Sequence, residues 1–260
     1  MKYRSNEKDF CELKRLFCLS FGEEAALAEE ILGFARDYGE IFYLKQEDKV
    51  ITMLCLAELE DGLKYLFAAA TDPQNRKKGL LARNLTLAAQ DCSIVCIPES
   101  EGLFALYDRL GFVNHGCVLK AKVLGETNAS RESDPDLERL YRIYESSSFY
   151  PKKSREMFLS TVRCHLLYGG FLVSGDSYYA LCGKAAGENY IYELCLPKGE
   201  EGRLPEIAKQ CFKGEATVFL PLSYSKILNN HRIIHQKKQL FALKSTDYNA
   251  NDLYINIMYN

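Results

Sequence analysis

Ala70-Thr71-Asp72-Pro73-Gln74-Asn75-Arg76-Lys77-Lys78-Gly79-Leu80-Leu81 is the stretch that decides how this chain is read. It follows an apolar run, Leu63 to Ala70 with Lys64 its only charge, that has the makeup of a strand. It precedes Leu81, Leu85, Ala88 and Cys92, spaced i, i+4, i+7 and i+11 along one face of an amphipathic helix. Three consecutive cations and a glycine therefore stand where a strand turns into a helix. The first N–H groups of a helix lack partners within it and sit at the positive end of its dipole, so the junction attracts anions. Gly79 can take a positive φ and lets a ligand approach the main chain. A diphosphate fits such a place. The stretch does not match a P-loop, because Lys78 precedes the glycine and no Gly-Lys-Ser/Thr follows, nor does it match G-x-G-x-x-G.

A second segment lies about twenty residues on. Ile94-Val95-Cys96-Ile97-Pro98 reads as a short buried strand, and Leu103, Leu106, Tyr107 and Leu110 form an i, i+3, i+4, i+7 helical stripe. Gly111 stops that helix and Phe112 opens another strand.

With both segments in order, the chain resembles the GNAT superfamily of acyl-CoA-dependent N-acetyltransferases over about residues 1–120. The family's phosphate loop, Gln/Arg-x-x-Gly-x-Gly/Ala, is matched by Arg76-Lys77-Lys78-Gly79-Leu80 with Leu81 in the last place. Its downstream Tyr followed by Leu-Gly-Phe stands here as Tyr107-Asp108-Arg109-Leu110-Gly111-Phe112. Two departures are Leu81, where the family has a small residue, and Ser100, where many relatives carry an Asn facing the cofactor. The resemblance implies an α/β fold with a mixed central sheet flanked by helices, acetyl-CoA as co-substrate, and transfer of its acetyl group to a primary amine. The expected CoA-binding residues are Ala69, Ala70 and Thr71 on the strand and Arg76, Lys77, Lys78, Gly79, Leu80 and Leu81 at the junction. Small side chains at Ala68, Ala69 and Ala70 would leave the strand edge open to the pantetheine amides; packing under a helix is the other reading of Ala68. In the family a main-chain N–H of this strand polarises the thioester carbonyl.

Acetyl transfer needs a neutral amine, something to accept its proton, and a donor for the departing thiolate. Tyr107 occupies the position of that donor in the resembling enzymes, although its place on the Leu103–Leu110 stripe equally suits a core ring. For the base the candidates are Glu58, Glu60, a water chain and, as in some tandem relatives, the terminal carboxylate, here Asn260. Direct transfer in a ternary complex is expected over a cysteine relay, since Cys96 alone lies near the site and sits in an apolar run. A non-catalytic acyl-CoA-binding or regulatory module is the rival reading, and the acceptor, a small molecule or a peptide amine, is not legible.

Composition excludes other classes. The 260 residues carry a net charge of −2, which indicates no affinity for nucleic acid. No apolar run approaches the roughly 20 residues that span a membrane, and Met1-Lys2-Tyr3-Arg4-Ser5 lacks a signal-peptide core. The ten cysteines fall largely inside apolar runs such as those of Cys55, Cys96, Cys182 and Cys195, with no Cys-x-x-Cys, so buried thiols in a reducing cytoplasm are expected and no metal. His231 and His235 are spaced i, i+4 but lack a third ligand nearby. A homodimer is compatible with the composition.

The chain also repeats. Asp9-Phe10-x-x-Leu13-x-Arg15-Leu16-Phe17 lines up with Asp136-Leu137-x-x-Leu140-x-Arg142-Ile143-Tyr144, Tyr38-Gly39 with Tyr168-Gly169, Leu54-Cys55 with Leu181-Cys182, and Ile94–Pro98 with Val218–Pro221. Two copies of one α/β unit are expected, over 1–125 and 134–260, joined by the polar stretch 125–133. Asp134-Pro135-Asp136 reads as a helix cap with Pro at its first position. Where the first copy has Arg76-Lys77-Lys78-Gly79, the second has Lys198-Gly199-Glu200-Glu201-Gly202, whose carboxylates repel a diphosphate. The second copy is therefore expected to keep the fold without the cofactor. The patterned tail from Leu253 to Asn260 reads as a docked strand.

Overall fold

The computed structural model describes residues 6–89, 92–98, 100–115, 118–127, 131–221, 224, 241–243 and 254. His231, His235, Asn260 and, apart from Tyr254, the tail expected to form a strand lie outside them. The described residues divide into two units, those of 6–113 with 242–243, and those of 114–241 with 254.

The first unit opens with helices α1 (Glu7–Phe21) and α2 (Ala25–Tyr38). Asn6 caps α1 by accepting from the Lys8 N–H at 3.1 Å, and Gly22 ends it at φ 73°. These helices bury Phe10, Leu13, Leu16, Ile31 and Leu32, each worth on the order of 1.5–3 kcal/mol of transfer free energy. Strands β1 (Gly39–Gln46), β2 (Lys49–Glu58) and β3 (Lys64–Thr71) follow as an antiparallel meander. Then come α3 (Leu80–Ala88), β4 (Ile94–Cys96), α4 (Glu101–Arg109) and β5 (Val113–His115). β4 runs parallel to β3. The sheet order is β1-β2-β3-β4-β11-β5, where β11 (Phe241–Leu243) comes from far along the chain and pairs antiparallel with β4. Nothing in its sequence marks β11 as a strand of the first sheet.

The second unit has β6 (Val118–Glu126), α5 (Leu137–Ser146), α6 (Arg155–Leu167), β7 (Phe171–Gly175), β8 (Tyr178–Ala185), β9 (Glu188–Cys195), α7 (Leu204–Cys211) and β10 (Lys213–Pro221). Its sheet order is β6-β10-β9-β8-β7, with β10 parallel to β9 and antiparallel to β6. Both units thus run helix, helix, three-strand meander, helix, parallel strand, which is the repeat expected from the sequence. The polar stretch after β6 connects two elements of this unit, and Glu132 within it bridges to Leu172 of β7. The cap of α5 is Asp136, which accepts from the Arg139 N–H at 3.0 Å, and not Asp134: Pro135 precedes the cap instead of following it.

One repeat pairing shifts by a residue. In β2 and β3, Met53 pairs with Ala70 and Cys55 with Phe67, so Leu54 faces one residue too many. In β8 and β9, Leu181 pairs with Glu193 and Gly183 with Tyr190, so Cys182 holds that place. Leu54 therefore corresponds to Cys182, and Leu181 to Met53. A one-residue slip exchanges the two faces of a strand, and the corrected register is the one that turns Leu54 towards α3 and Cys182 towards α7.

Candidate active site

The extra residue opposite Leu54 is a β-bulge in β3, formed by Ala68 and Ala69. Ala68 takes a φ of 48°, a left-handed conformation that non-glycine residues adopt at a cost. Two residues on, Thr52 of β2 fixes the strand by donating its hydroxyl to the Ala70 carbonyl at 2.9 Å, with the Thr71 hydroxyl 3.0 Å away. On its other edge β3 pairs with β4 only at Lys64↔Ile94 and Tyr65↔Val95. Beyond Tyr65 the two parallel strands part, and the bulge lies along that opening. Ala68 and Ala70 are buried and Ala69 half-buried.

β3 ends at Thr71, and Asp72 starts a 3-10 turn (Pro73–Asn75) by accepting from the Gln74 N–H at 3.0 Å. The backbone then reaches α3 through positive φ at Lys77 (63°) and Gly79 (71°). Gly79 is the N-cap of α3 and offers no side chain to its free N–H groups. A Cβ built there would meet no atom within 4 Å, so the space before the helix is open. Arg76 donates to the Thr71 carbonyl at 3.2 Å and Lys78 to the Asn75 side chain at 2.8 Å. Among the described residues none of Arg76, Lys77 and Lys78 pairs with a carboxylate, and all are exposed. Leu80 and Leu81 begin α3 half-buried, with Leu81 against the core.

Tyr107 of α4 is 8% exposed and packs with Leu54, Leu66, Cys96 and Phe112, its ring edge-on to Phe112 at 5.1 Å. Among the described residues its hydroxyl has no hydrogen-bond partner. Burial, with the nearby Cys96 second, holds the phenol well above its ordinary pKa. The rest of the expected stripe is shallower: Leu103 is 37% exposed. Ser100 caps α4 by accepting from the Leu103 N–H at 3.3 Å. Cys96 is buried, which raises its thiol pKa too. Glu58 pairs in register with Lys64, and Glu60 stands in the following turn, both exposed. Lys64 stands four steps along the strand from Ala68 of the bulge, roughly 13 Å. The bulge itself and the Thr52 bond are site features that the sequence reading did not reach; three successive alanines were their only trace.

The fold recurs in solved structures. Eis1 from Mycobacterium abscessus superposes with a TM-score of 0.63 at 12% identity, over 93% of this chain and 72% of that one. GCN5-related N-acetyltransferases from Kribbella flavida and Anabaena variabilis each give 0.61, at 14% and 11% identity, over 94% of this chain and 71% and 72% of theirs. The fold is that of the GCN5-related N-acetyltransferases. No protein-family model and no curated protein matches the sequence. In this GNAT fold the two units differ at the bulge. Where the first has Ala68-Ala69-Ala70, the second has Ile191-Tyr192-Glu193. The Tyr192 ring stands against Gly183 and His165. Glu193 is buried with Lys153 at 3.2 Å and the Tyr179 hydroxyl at 2.5 Å. In the loop that follows, the Glu201 carboxylate takes the Gly199 N–H at 2.8 Å, a donor that an anion would otherwise use. Among the described residues no group of His, Cys, Asp and Glu is arranged to hold a metal ion, and no helix is long and apolar enough to cross a membrane.

Proposed function

We propose that the first unit is an N-acetyltransferase that moves an acetyl group from acetyl-CoA to a primary amine of a small molecule or peptide, by direct transfer in a ternary complex. One observation carries this reading: a bulged, half-open strand edge at Ala68–Ala69 leads directly into a basic loop whose cations lack carboxylate partners among the described residues. Lys77, Lys78 and Arg76 supply charge to the pyrophosphate, the N–H groups at the start of α3 supply direction, and Ala69, Ala70 and Thr71 offer main chain to the pantetheine. A bulge N–H polarises the thioester carbonyl. The amine nitrogen bonds to that carbon, the C–S bond breaks, the amine proton leaves to a base or water, and Tyr107 protonates the sulfur. A phenol whose pKa burial raises stays protonated and suits a donor. Cys96, buried and held as a thiol, suits no relay. The free cysteines fit a reducing compartment such as the cytoplasm.

Calorimetry with acetyl-CoA tests the site. Lys77→Glu with Lys78→Glu is expected to weaken binding by roughly 2–4 kcal/mol, about 30- to 1,000-fold, the scale of lost contacts to charged groups. Unchanged affinity in a folded variant moves the site elsewhere. Tight CoA binding without acetylation of any amine in a broad panel favours a non-catalytic acyl-CoA-binding module.

A further inference from the structure

The second unit holds a cavity of about 820 Å³ on the side of its sheet that carries α7, large enough for a metabolite-sized ligand. Its origin is a difference between the units. In the first, α3 lies across β1 and β2, and Asn84 on its buried face donates to the Phe42 carbonyl of β1 at 3.0 Å. In the second, α7 lies chiefly over β6, β9 and β10, and the cavity opens beside the end of β7 and start of β8 near Tyr178, while Val173 and Cys182 on that face are buried. Val173 and Tyr178 of those strands line the cavity together with Pro205, Glu206 and Lys209 of α7.

The charges around it are unequal. Lys209 is paired with Glu126 at 3.3 Å. Arg139, behind Ser174, is occupied by the Ser174 hydroxyl at 2.8 Å, the Gly175 carbonyl at 2.6 Å and Glu132 at 3.1 Å. At the rim Arg203 pairs with Glu200. Each of these cations already has its carboxylate, whereas Glu206 forms no ion pair among the described residues. Among the described residues one negative charge without an ion-pair partner thus stands in a mostly polar lining, in which Val173 and Pro205 are the aliphatic members and Tyr178 offers a hydroxyl. An anionic ligand would meet an unmatched carboxylate, and the described residues lining the cavity offer no unpaired cation to offset it.

We propose that this cavity binds a small molecule bearing an amine or guanidinium group, with Glu206 as its counter-ion, Tyr178 as a hydrogen-bonding group, and Val173 and Pro205 against its hydrocarbon part. The site lies in the second unit, the copy that lacks the basic Arg76–Gly79 loop of the first.

The chain contains no tryptophan, so Gln210→Trp on the exposed side of α7 places a single indole at the cavity. Titrating the full-length variant with spermidine is expected to give a saturable fluorescence change, and citrate none. Adding Glu206→Gln should weaken spermidine binding at least tenfold, and Glu206→Arg should abolish it. Both positions are exposed, and unchanged thermal unfolding checks the fold. Calorimetry on the parent chain and on Glu206→Gln alone repeats the comparison without the reporter. No saturable response to spermidine in either format, an equal response to citrate, or equal affinity after Glu206→Gln overturns the proposal. Spermidine binding that depends on Lys77 and Lys78 but not on Glu206 places the amine at the first unit and overturns it as well.

Discussion

Tyr107 has a buried ring and a hydroxyl without a hydrogen-bond partner among the described residues. Tyr107→Phe removes only that hydroxyl. With an accepted amine, turnover is expected to fall about 10²- to 10⁴-fold while acetyl-CoA affinity holds, the usual worth of a positioned acid. Turnover within a few-fold of the parent would make Tyr107 a packing residue. Ala68 offers a second test at this scale. Its left-handed backbone suits glycine, tolerates alanine and opposes a β-branched side chain. Ala68→Val is expected to lower stability by roughly 1–3 kcal/mol in urea unfolding, and Ala68→Gly to leave it nearly unchanged. A Val variant as stable as the parent would mean that the bulge relaxes freely.

Among the elements, α6 carries a titratable group whose environment sets a pH dependence. Burial lowers the pKa of His165 below its ordinary value of 6.5, with its Nε2 2.9 Å from the Cys182 carbonyl. The native state then favours the neutral ring, and between the two pKa values the unfolded chain binds more protons. Stability therefore rises with pH through that window, and the contribution is lost as pH falls below about 6.5. Urea midpoints measured from pH 7 to pH 5 should decline, and His165→Gln should flatten the decline. An unchanged slope assigns it to other groups. Helix α4 shows what periodicity can and cannot say at this scale. Its 103–110 stripe located the helix, yet only Tyr107 of it is buried, because a helix of nine residues presents little more than one side chain per turn to the sheet.

For the whole molecule, two copies of one fold predict one CoA site. The alanines of the first bulge give way to Tyr192 and Glu193 in the second, and a loop carboxylate occupies a loop N–H there. Calorimetry is expected to give one acetyl-CoA per chain; two equal sites would refute the asymmetry. Much of this was legible in the residues. The basic strand-to-helix junction, the Tyr107–Phe112 motif, the order of the repeat and the acidic loop of the second copy are local patterns, set by hydrophobic period, glycine freedom and charge, and these act over a few neighbours. Other features depend on partners distant in the chain. The bulge exists because β2 and β3 pair with a one-residue mismatch, and the repeat's true register shows only in which face meets α3 or α7. β11 joins the first sheet from residues 241–243, and the cavity opens because α7 settles over different strands from α3. Side-chain period and charge are properties of the sequence by itself; pairing register and helix placement are decided by which distant surfaces bury one another, and only the tertiary structure holds that choice.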